Sequence, residues 1–362
     1  MRSATVFGRW RTIGLALAVL ALAGCGGGGG SSAPPTPPSK VFLSDGGNHA
    51  IISGVNAAPT TASPFNVDRL VEGSNTGLGA LGGTPSISSI PSIALDAAND
   101  RLFAATQLNA VVFDNIGTAD GNAPFSRRIS ANVDTGGGSH AVSFYGLYLD
   151  TANNILYTVD TAGEVHVFSN ASTRTGATTP DRTVTPNLGT FTVVTTFGIA
   201  VDKARDLLYV GIVPNAANPF IIVFDGASTA NTNTMPNNTR APGRTITLAG
   251  AGAFHLDETN DRLYVARFDG VVWVFDTVSG LRGTPLQNRT IDLQNGVQNF
   301  IFVDTGRNKL YAVGNDPNFP NNQSVLNVID NASSADEPNN VTGFFFFLTR
   351  TNIRLSAVAV KP

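Results

Sequence analysis

The stretch DETNDRLYVARFDGVVWVFD, residues 257–276, decides the fold because its pattern returns along the chain. It reads as two apolar strands, Leu263-Tyr264-Val265 and Val272-Trp273-Val274-Phe275, joined by a short polar turn. The repeated pattern is an Asp, then an Asp or Asn four residues later, a Leu six later and an aromatic residue seven later. Five units share it, and their leading residues are Asp96, Asp150, Asp202, Asp257 and Asp304.

The leading aspartates lie 54, 52, 55 and 47 residues apart, a period typical of β-propeller blades. Each unit contains four strand-like segments. Strand one alternates apolar residues before the Asp, strand two begins with the Leu-aromatic pair, strand three resembles Val-Val-Phe-Asp, and a short strand four begins with Arg. Asp and Asn favour turns because their side chains bond nearby backbone groups. The repeat therefore predicts four-stranded antiparallel blades.

The two ends of the chain supply a sixth unit. Val41-Phe42-Leu43-Ser44-Asp45 matches strand two, and Ala357-Val358-Ala359-Val360 matches strand one. Pairing them closes the ring and removes sheet edges that would otherwise invite aggregation. We therefore predict an all-β fold over residues 41–362: a six-bladed β-propeller of four-stranded blades, closed by pairing of the C-terminal strand with the N-terminal blade.

The Leu-Tyr-Val and Val-x-Val-Phe-Asp phrases resemble the YVTN/NHL class of β-propeller repeats, from about Val41 to the C-terminus. The resemblance implies the fold and leaves the activity open, because propellers serve as binders, scaffolds and enzymes. The chain lacks the Trp-Asp dipeptide of WD40 blades. It also lacks the Ser-Pro-Asp-Gly turn of many lactonase-like propellers.

The first 24 residues are predicted to be a signal peptide. Arg2, Arg9 and Arg11 precede an apolar run, residues 13–23, that is too short to span ~30 Å of hydrocarbon comfortably. Leu22-Ala23-Gly24-Cys25 resembles the lipobox of bacterial lipoprotein signals. This resemblance implies cleavage before Cys25 and lipidation of its thiol and amine. Since Cys25 is the only cysteine, no intramolecular disulfide is possible.

Residues 25–40 form a Gly/Ser/Pro-rich stretch, which predicts a tether between the lipidated Cys25 and the propeller. In this class of lipoproteins a residue other than Asp after the cysteine usually implies the outer membrane, and here that residue is Gly26. The predicted location is the bacterial cell envelope, on either its periplasmic or its surface face. The formal net charge of −3 falls to −6 without the leader's three arginines, which argues against a nucleic-acid partner.

Two sets of repeated charged residues each allow a functional and a structural interpretation. The leading aspartates could ring a metal ion, but their place in strand-one to strand-two turns favours turn formation. The second set consists of the arginines near the start of strand four: Arg69, Arg127, Arg182, Arg244 and Arg289. These arginines could bind anions, or they could form ion pairs with Asp114, Asp225 and Asp276 across the hairpin. We predict structural roles for both sets.

Propeller sites usually lie at one mouth of the channel, where strand-two/three hairpins and strand-four/one connections gather. The long connections 73–91, 131–142 and 314–324 belong to this mouth. On strand one, Tyr148 and His255 stand where other units carry Ala or Phe, so both could reach the channel, although a buried core His is also common. The predicted mouth or channel residues are Asp45, His49, His140, Tyr148, His255 and Asp269, and the mouth also carries Glu72, Asp134, Asp160, Glu164, Asn215 and Asp316.

The residues support three hypotheses about function. The sequence has no Gly-x-Ser-x-Gly elbow, Walker loop, His-Glu-x-x-His or Cys-x-x-Cys motif, which favours a non-enzymatic module binding a protein, peptide or glycan without a cofactor. The alternative is a Ca²⁺-dependent hydrolase of lactonase or esterase type, with His255 or His140 as base. It needs several acidic or amide oxygens within ~2.3–2.6 Å of one ion. A structural envelope protein without a small ligand is the third.

Overall fold

The computed structural model describes residues 40–55, 63–79, 90–106, 108–134, 139–141, 143–234, 239–293, 297–315, 324–336, 343–346 and 353–361. All belong to one unit that runs from Pro38 to Pro362. The predicted signal peptide, the lipidated Cys25 and the tether up to residue 39 lie outside the described residues. Within the described ranges, no helix has the length and apolarity needed to cross a membrane.

In the described residues, 27 strands form six sheets, numbered here as blades I to VI. Blade I holds β1 (Lys40–Asp45), β2 (Ala50–Val55) and β4 (Val67–Val71), with the short β3 (Ser63–Pro64) before β4. Blade II holds β5 (Ile93–Asp96), β6 (Arg101–Thr106), β7 (Asn109–Asp114), β8 (Arg127–Asp134) and β9 (Ser139–Ala141). Blade III holds β10 (Gly146–Asp150), β11 (Ile155–Val159), β12 (Val165–Ser169) and β14 (Arg182–Val184), preceded by β13 (Gly176–Thr178).

Blade IV holds β15 (Val193–Asp202), β16 (Leu207–Pro214), β17 (Phe220–Asp225) and β18 (Arg244–Thr247). Blade V holds β19 (Ala251–Asp257), β20 (Arg262–Arg267), β21 (Val271–Asp276) and β22 (Arg289–Asp292). Blade VI holds β23 (Val297–Asp304), β24 (Lys309–Asn315), β25 (Ser324–Asp330) and β26 (Gly343–Phe346), and β27 (Leu355–Lys361) ends the chain. Short 3₁₀ turns lie at Ser74–Thr76, Thr232–Thr234 and Val278–Gly280.

The C-terminal strand closes the ring as predicted. The sheet of blade I has the order β27-β1-β2-β4, so the innermost strand of the first blade is the last strand of the chain. Their antiparallel register runs from Lys40 opposite Lys361 to Asp45 opposite Leu355. The predicted fold is confirmed: an all-β propeller of six blades, each with four antiparallel strands in its main path.

The repeated Leu-aromatic pair explains how blades adhere to one another. Successive strand residues face opposite sides of a sheet. In blade V, Leu263 packs in a cluster with blade IV residues, whereas Tyr264 packs in a cluster with blade VI residues such as Ile301. Both side chains are at most 1 % exposed. Each unit therefore needs this pair because one residue binds the preceding blade and the next residue binds the following one.

The leading aspartates form turns, as predicted. In blade V, Asp257 accepts hydrogen bonds from the backbone N–H of Asn260 (3.1 Å) and from its side-chain amide (2.8 Å). The Asp or Asn four residues after each leading Asp has φ between 51° and 56°, which explains the choice of residue because Asp and Asn tolerate this region best. This second residue also accepts the N–H of a residue after strand three, as Asp261 does from Ser279 (2.9 Å).

The outer strand of each blade is covered by the next blade, a feature that the repeat did not predict. In blade II, β8 pairs in parallel with β13 of blade III, and in blade VI, β26 pairs in parallel with β3 of blade I. The outer strands of the other four blades also contact the next blade. Three do so through isolated parallel bridges, Val71 with Gly121, Pro186 with Arg240 and Ile246 with Gly283, and in blade V the N–H of Thr290 donates to Asp336. This coverage protects edges that could otherwise pair with another chain.

The strand-four arginines pair with strand-three aspartates where the sequence provides them. Arg127 lies 2.6 Å from Asp114, Arg289 3.2 Å from Asp276 and Arg244 3.7 Å from Asp225. In blade III the strand-three position is Ser169, and Arg182 instead donates to the backbone oxygens of Ala227 (2.9 Å) and Ala230 (3.0 Å) in the next blade. The series thus has structural contacts, as predicted.

Candidate functional site

The innermost strands of all six blades line a central channel with a cavity of about 200 Å³. Tyr148 and His255 both line it, in agreement with their predicted position on strand one. The other four blades place Ala94, Ala200, Phe302 and Ala359 at the equivalent position. Three alanines on the axis leave room for the two larger polar side chains.

His255 is an uncharged imidazole at neutral pH. Its ring meets Phe302 edge to face, with 5.1 Å between ring centroids. Burial among channel residues lowers the pKa of His255 from 6.5 to about 4, and the carboxylate of Asp257 opposes this shift. The residue is partly exposed and lines the channel cavity. A neutral ring presents one donor and one acceptor to anything that enters the channel.

Stability is expected to fall between pH 7 and pH 4 because of His255. In the unfolded chain His255 takes up a proton near its ordinary pKa of 6.5, whereas in the folded chain it takes up the proton only near its lowered pKa of about 4. The unfolded state therefore binds the proton first, which favours unfolding by about 2 kcal/mol at pH 5. Urea unfolding at pH 7 and pH 5 measures this loss. The variant His255→Gln should lose about 2 kcal/mol less than wild type; an equal loss in both proteins contradicts the assignment.

Tyr148 remains a phenol at any working pH. Burial, followed by the charges of Glu258 and Asp150, raises its pKa well above the usual value. Its ring lies edge-on to Tyr157, with 6.0 Å between centroids. Tyr148 is therefore a hydrogen-bond donor on the channel wall rather than an acid.

A second cavity of about 280 Å³ forms a vestibule at the mouth of the channel. The vestibule and the channel cavity share Leu147, Ile199, Phe254 and Phe300, so an apolar ring lies where they meet. Aromatic and hydroxyl side chains line the vestibule: Ser92, Tyr145, Thr195, Thr196, Phe197, Phe254, Phe268, Phe300 and Ser356. It thus offers apolar surface together with neutral hydrogen-bonding groups.

Bulges at the start of the inner strands shape this mouth. The pairing register shifts between Thr196 and Gly198 in β15, between Ala251 and Ala253 in β19, and between Gln298 and Phe300 in β23. Bulges bend a strand and redirect its side chains. Gly198 adopts φ 152°, and a Cβ there would lie 2.9 Å from the Phe254 ring, so only glycine fits between these blades.

Exposed apolar side chains lie on the mouth face, and one of them, Phe268, lines the vestibule. Of the five large hydrophobic residues that are most exposed in the described chain, four lie on the mouth face: Leu108 and Phe268 in strand-two/three hairpins, Phe191 in a strand-four/one connection and Val194 at the start of β15. The fifth, Leu286, follows strand three of blade V and lies on the opposite face, where it is 89 % exposed. The mouth face therefore carries most of the described apolar exposure.

The other predicted site residues lie on the mouth face but on different blades. Asp45 is buried at the end of β1 and accepts the N–H groups of Gly47 (3.0 Å) and Arg354 (3.0 Å). Asp269 is half exposed and bound to Arg267 at 2.6 Å, which lowers the pKa of the carboxyl. His49 has φ 52° in the β1–β2 hairpin, a backbone role that the sequence did not indicate.

The predicted long connections lie partly outside the described residues. Residues 80–89, 135–138, 142 and 316–323 are not described. Residues 131–142, predicted to be a long connection, instead contain a hairpin in which Val133 of β8 pairs with His140 of β9. The side chain of His140 lies outside the described part of the chain. The sequence did not indicate the aromatic residues of the vestibule. An aromatic residue five positions before the leading Asp is found in only two units, as Tyr145 and Phe197, so it does not stand out as part of the repeat.

No protein-family model matches the chain, and the comparison with curated proteins gives no match. The class of protein is therefore defined by its fold and by its repeated blade: a six-bladed β-propeller. Membership of the YVTN/NHL class stays a resemblance. The lipobox and the calcium site remain predictions.

Proposed function

We propose that this chain is a non-enzymatic binding module, held at a bacterial envelope by a lipid on Cys25, that captures a protein, peptide or glycan at its vestibule. The fold is compatible with a binding module and with a hydrolase. The uncharged lining of the vestibule supports a binding module. The tether after Cys25 would keep the rigid disc close to the membrane while leaving its mouth free to meet a partner.

The vestibule chemistry favours a neutral ligand group. Every residue that lines it in the described chain is uncharged, from Pro91 to Ser356. A charged group that entered would lose water without meeting an opposite charge, which is costly. Aromatic faces such as Phe268 and Tyr145 suit an apolar side chain or a sugar ring, and hydroxyls such as Thr195 can fix its orientation. The proposed ligand is therefore an uncharged peptide segment or a neutral glycan.

Two exposed residues of matched chemistry test this proposal. Phe268→Ser removes a half-exposed aromatic side chain at the vestibule, and Leu286→Ser removes an exposed side chain on the opposite face. On peptide and glycan arrays, wild type should retain neutral sequences or sugars. Phe268→Ser should weaken their binding about 10-fold or more, as loss of a central aromatic anchor does, whereas Leu286→Ser should leave it unchanged. Equal effects of the two substitutions contradict the proposed site.

The alternative is a Ca²⁺-dependent lactonase- or esterase-like hydrolase with its site in the channel. The side chains that line the described channel include no carboxylate or amide, so they do not supply the oxygen ligands that Ca²⁺ prefers. The observation that favours the hydrolase is the neutral imidazole of His255 in the channel lining, since a neutral imidazole can accept a proton. Hydrolysis of lactones and aryl esters with and without Ca²⁺ tests it. Turnover that needs Ca²⁺ and is lost in His255→Gln supports the hydrolase; turnover equal in both proteins opposes it.

A further inference from the structure

Three side chains capable of binding a metal meet at the mouth end of blade III. Asp160 and Glu164 lie in the hairpin that joins β11 to β12, and His166 is the second residue of β12. One donor atom from each lies within 4.8 Å of the others. The hairpin brings them together because Glu164 and His166, two residues apart, share one face, and Asp160 directly follows the facing strand β11.

His166 is buried without a hydrogen-bond partner. The residue is 0 % exposed, and neither ring nitrogen forms a hydrogen bond. Its Nε2 atom points to the cluster, 3.5 Å from Oδ2 of Asp160. Thr158 pairs with His166 across the strands, and its hydroxyl is also buried and unpartnered. Buried polar atoms are nearly always satisfied, so this group indicates a missing partner on the face of β11 and β12 that carries Thr158 and His166.

Both carboxylates are already oriented by other groups. Oδ1 of Asp160 accepts the N–H groups of Ala162 (2.9 Å) and Glu164 (2.9 Å), and Oε1 of Glu164 accepts the hydroxyl of Thr185 (3.0 Å). The second oxygen of each accepts no hydrogen bond from the described residues. Such outer contacts are typical of metal sites, where they hold the ligands in place and leave one oxygen for the ion.

We propose that Asp160, Glu164 and His166 bind a divalent transition-metal ion, with Zn²⁺ the ion that best suits them. One imidazole with two carboxylates matches Zn²⁺, whereas Ca²⁺ prefers oxygen ligands alone. Zinc ligands lie about 2.0–2.2 Å from the ion, which places tetrahedral donors about 3.4 Å apart. The 3.5 Å between Nε2 of His166 and Oδ2 of Asp160 already fits this spacing, and a pair near the 4.8 Å limit of the cluster must close by about 1.4 Å. The two carboxylate residues are partly exposed and provide an entry path, while His166 closes the site from behind.

The ion would lock the β11–β12 hairpin beside the vestibule. Asp160 also ties this hairpin to the next blade, because its backbone oxygen accepts the hydroxyl of Thr196 at 3.1 Å, and Thr196 lines the vestibule. The metal site therefore supports one wall of the proposed ligand site. It does not depend on the proposed binding function, because its evidence is the geometry of blade III alone.

Zinc titration of the full chain tests the site, with two matched histidine variants. Wild type and His255→Gln should each bind Zn²⁺ in calorimetry and show a rise of several degrees in Tm at a hundredfold excess over Kd. His166→Gln should lose both effects. Glu164→Gln removes a proposed direct ligand, so it should weaken binding by more than the roughly 10–100-fold that the loss of an outer contact costs. An equal zinc response in wild type and His166→Gln overturns the assignment.

Since His166 is buried and its variant could misfold, Co²⁺ bound to wild type provides a second readout. The ion should give visible absorption bands that Zn²⁺ displaces and that Glu164→Gln alters; the Gln amide oxygen can keep the Thr185 hydrogen bond. A spectrum equal to that of aqueous Co²⁺ overturns the proposal. Effective competition by Ca²⁺ also overturns it, because Ca²⁺ does not favour an imidazole ligand.

Discussion

Removing residues 355–362 is expected to abolish the folded monomer. This deletion takes away β27, the innermost strand of blade I, which pairs with β1 along its whole length. Leu355, Val358 and Val360 are at most 4 % exposed. Burial of each such side chain contributes ~1.5–3 kcal/mol, and together they approach the ~5–15 kcal/mol that stabilises a whole domain. The deletion also exposes an open edge on β1, which favours aggregation.

Size-exclusion chromatography and circular dichroism, compared with wild type, measure this effect. The control is Lys361→Ala, which removes only a partly exposed ion pair with Asp100 at 2.8 Å. Such a pair contributes ~0–1 kcal/mol, so this variant should remain a folded monomer. A truncated chain that elutes as a monomer and unfolds cooperatively near the wild-type midpoint is incompatible with closure by β27.

Asp261→Val is expected to reduce the free energy of unfolding by about 3–5 kcal/mol, through backbone strain and lost hydrogen bonds. Asp261 adopts φ 51°, a region that β-branched residues avoid. Its carboxylate also accepts the N–H of Ser279 at 2.9 Å and the hydroxyl of Ser279 at 2.6 Å. The substitution therefore disturbs both the turn after strand one and the turn after strand three of blade V.

Two further variants separate the causes. Asp261→Asn keeps an acceptor oxygen and tolerates positive φ, so it should cost less than about 1 kcal/mol. Asp261→Gly relieves the strain but loses the acceptor, so it should fall between the other two. Urea unfolding of all three gives the ranking. If Asn proves as damaging as Val, the carboxylate has a role other than turn formation, and the structural interpretation of the repeat fails.

The two faces of the disc differ in their chemistry. The face with the strand-one/two turns is fixed by repeated hydrogen bonds of the kind that Asp257 and Asp261 make. The mouth face is irregular: bulges in three inner strands, exposed apolar residues such as Phe268, and the Asp160 cluster all lie there. A rigid, repetitive face supporting a variable one is the arrangement expected of a binding scaffold.

The sequence by itself determined the blade, the number of blades and the closure. These features follow from local chemistry repeated at a fixed period: Asp and Asn at turns, a Leu-aromatic pair that faces both neighbours, and complementary half-units at the two ends. It also placed Tyr148 and His255 on the inner strand, where the alanines at equivalent positions indicated a crowded axis. Each of these inferences needed only residues within one unit or a comparison between units.

Only the tertiary structure revealed the vestibule and the proposed metal site. The vestibule takes side chains from all six blades, and one-dimensional order does not show which of them meet at the axis. His166 occupies a strand position that holds Val111, Ile222, Trp273 and Asn327 in other blades, so the repeat does not mark it as a metal ligand. What distinguishes it is the absence of a hydrogen-bond partner in its buried environment, a property that exists only after the hairpin has brought Asp160 and Glu164 beside it.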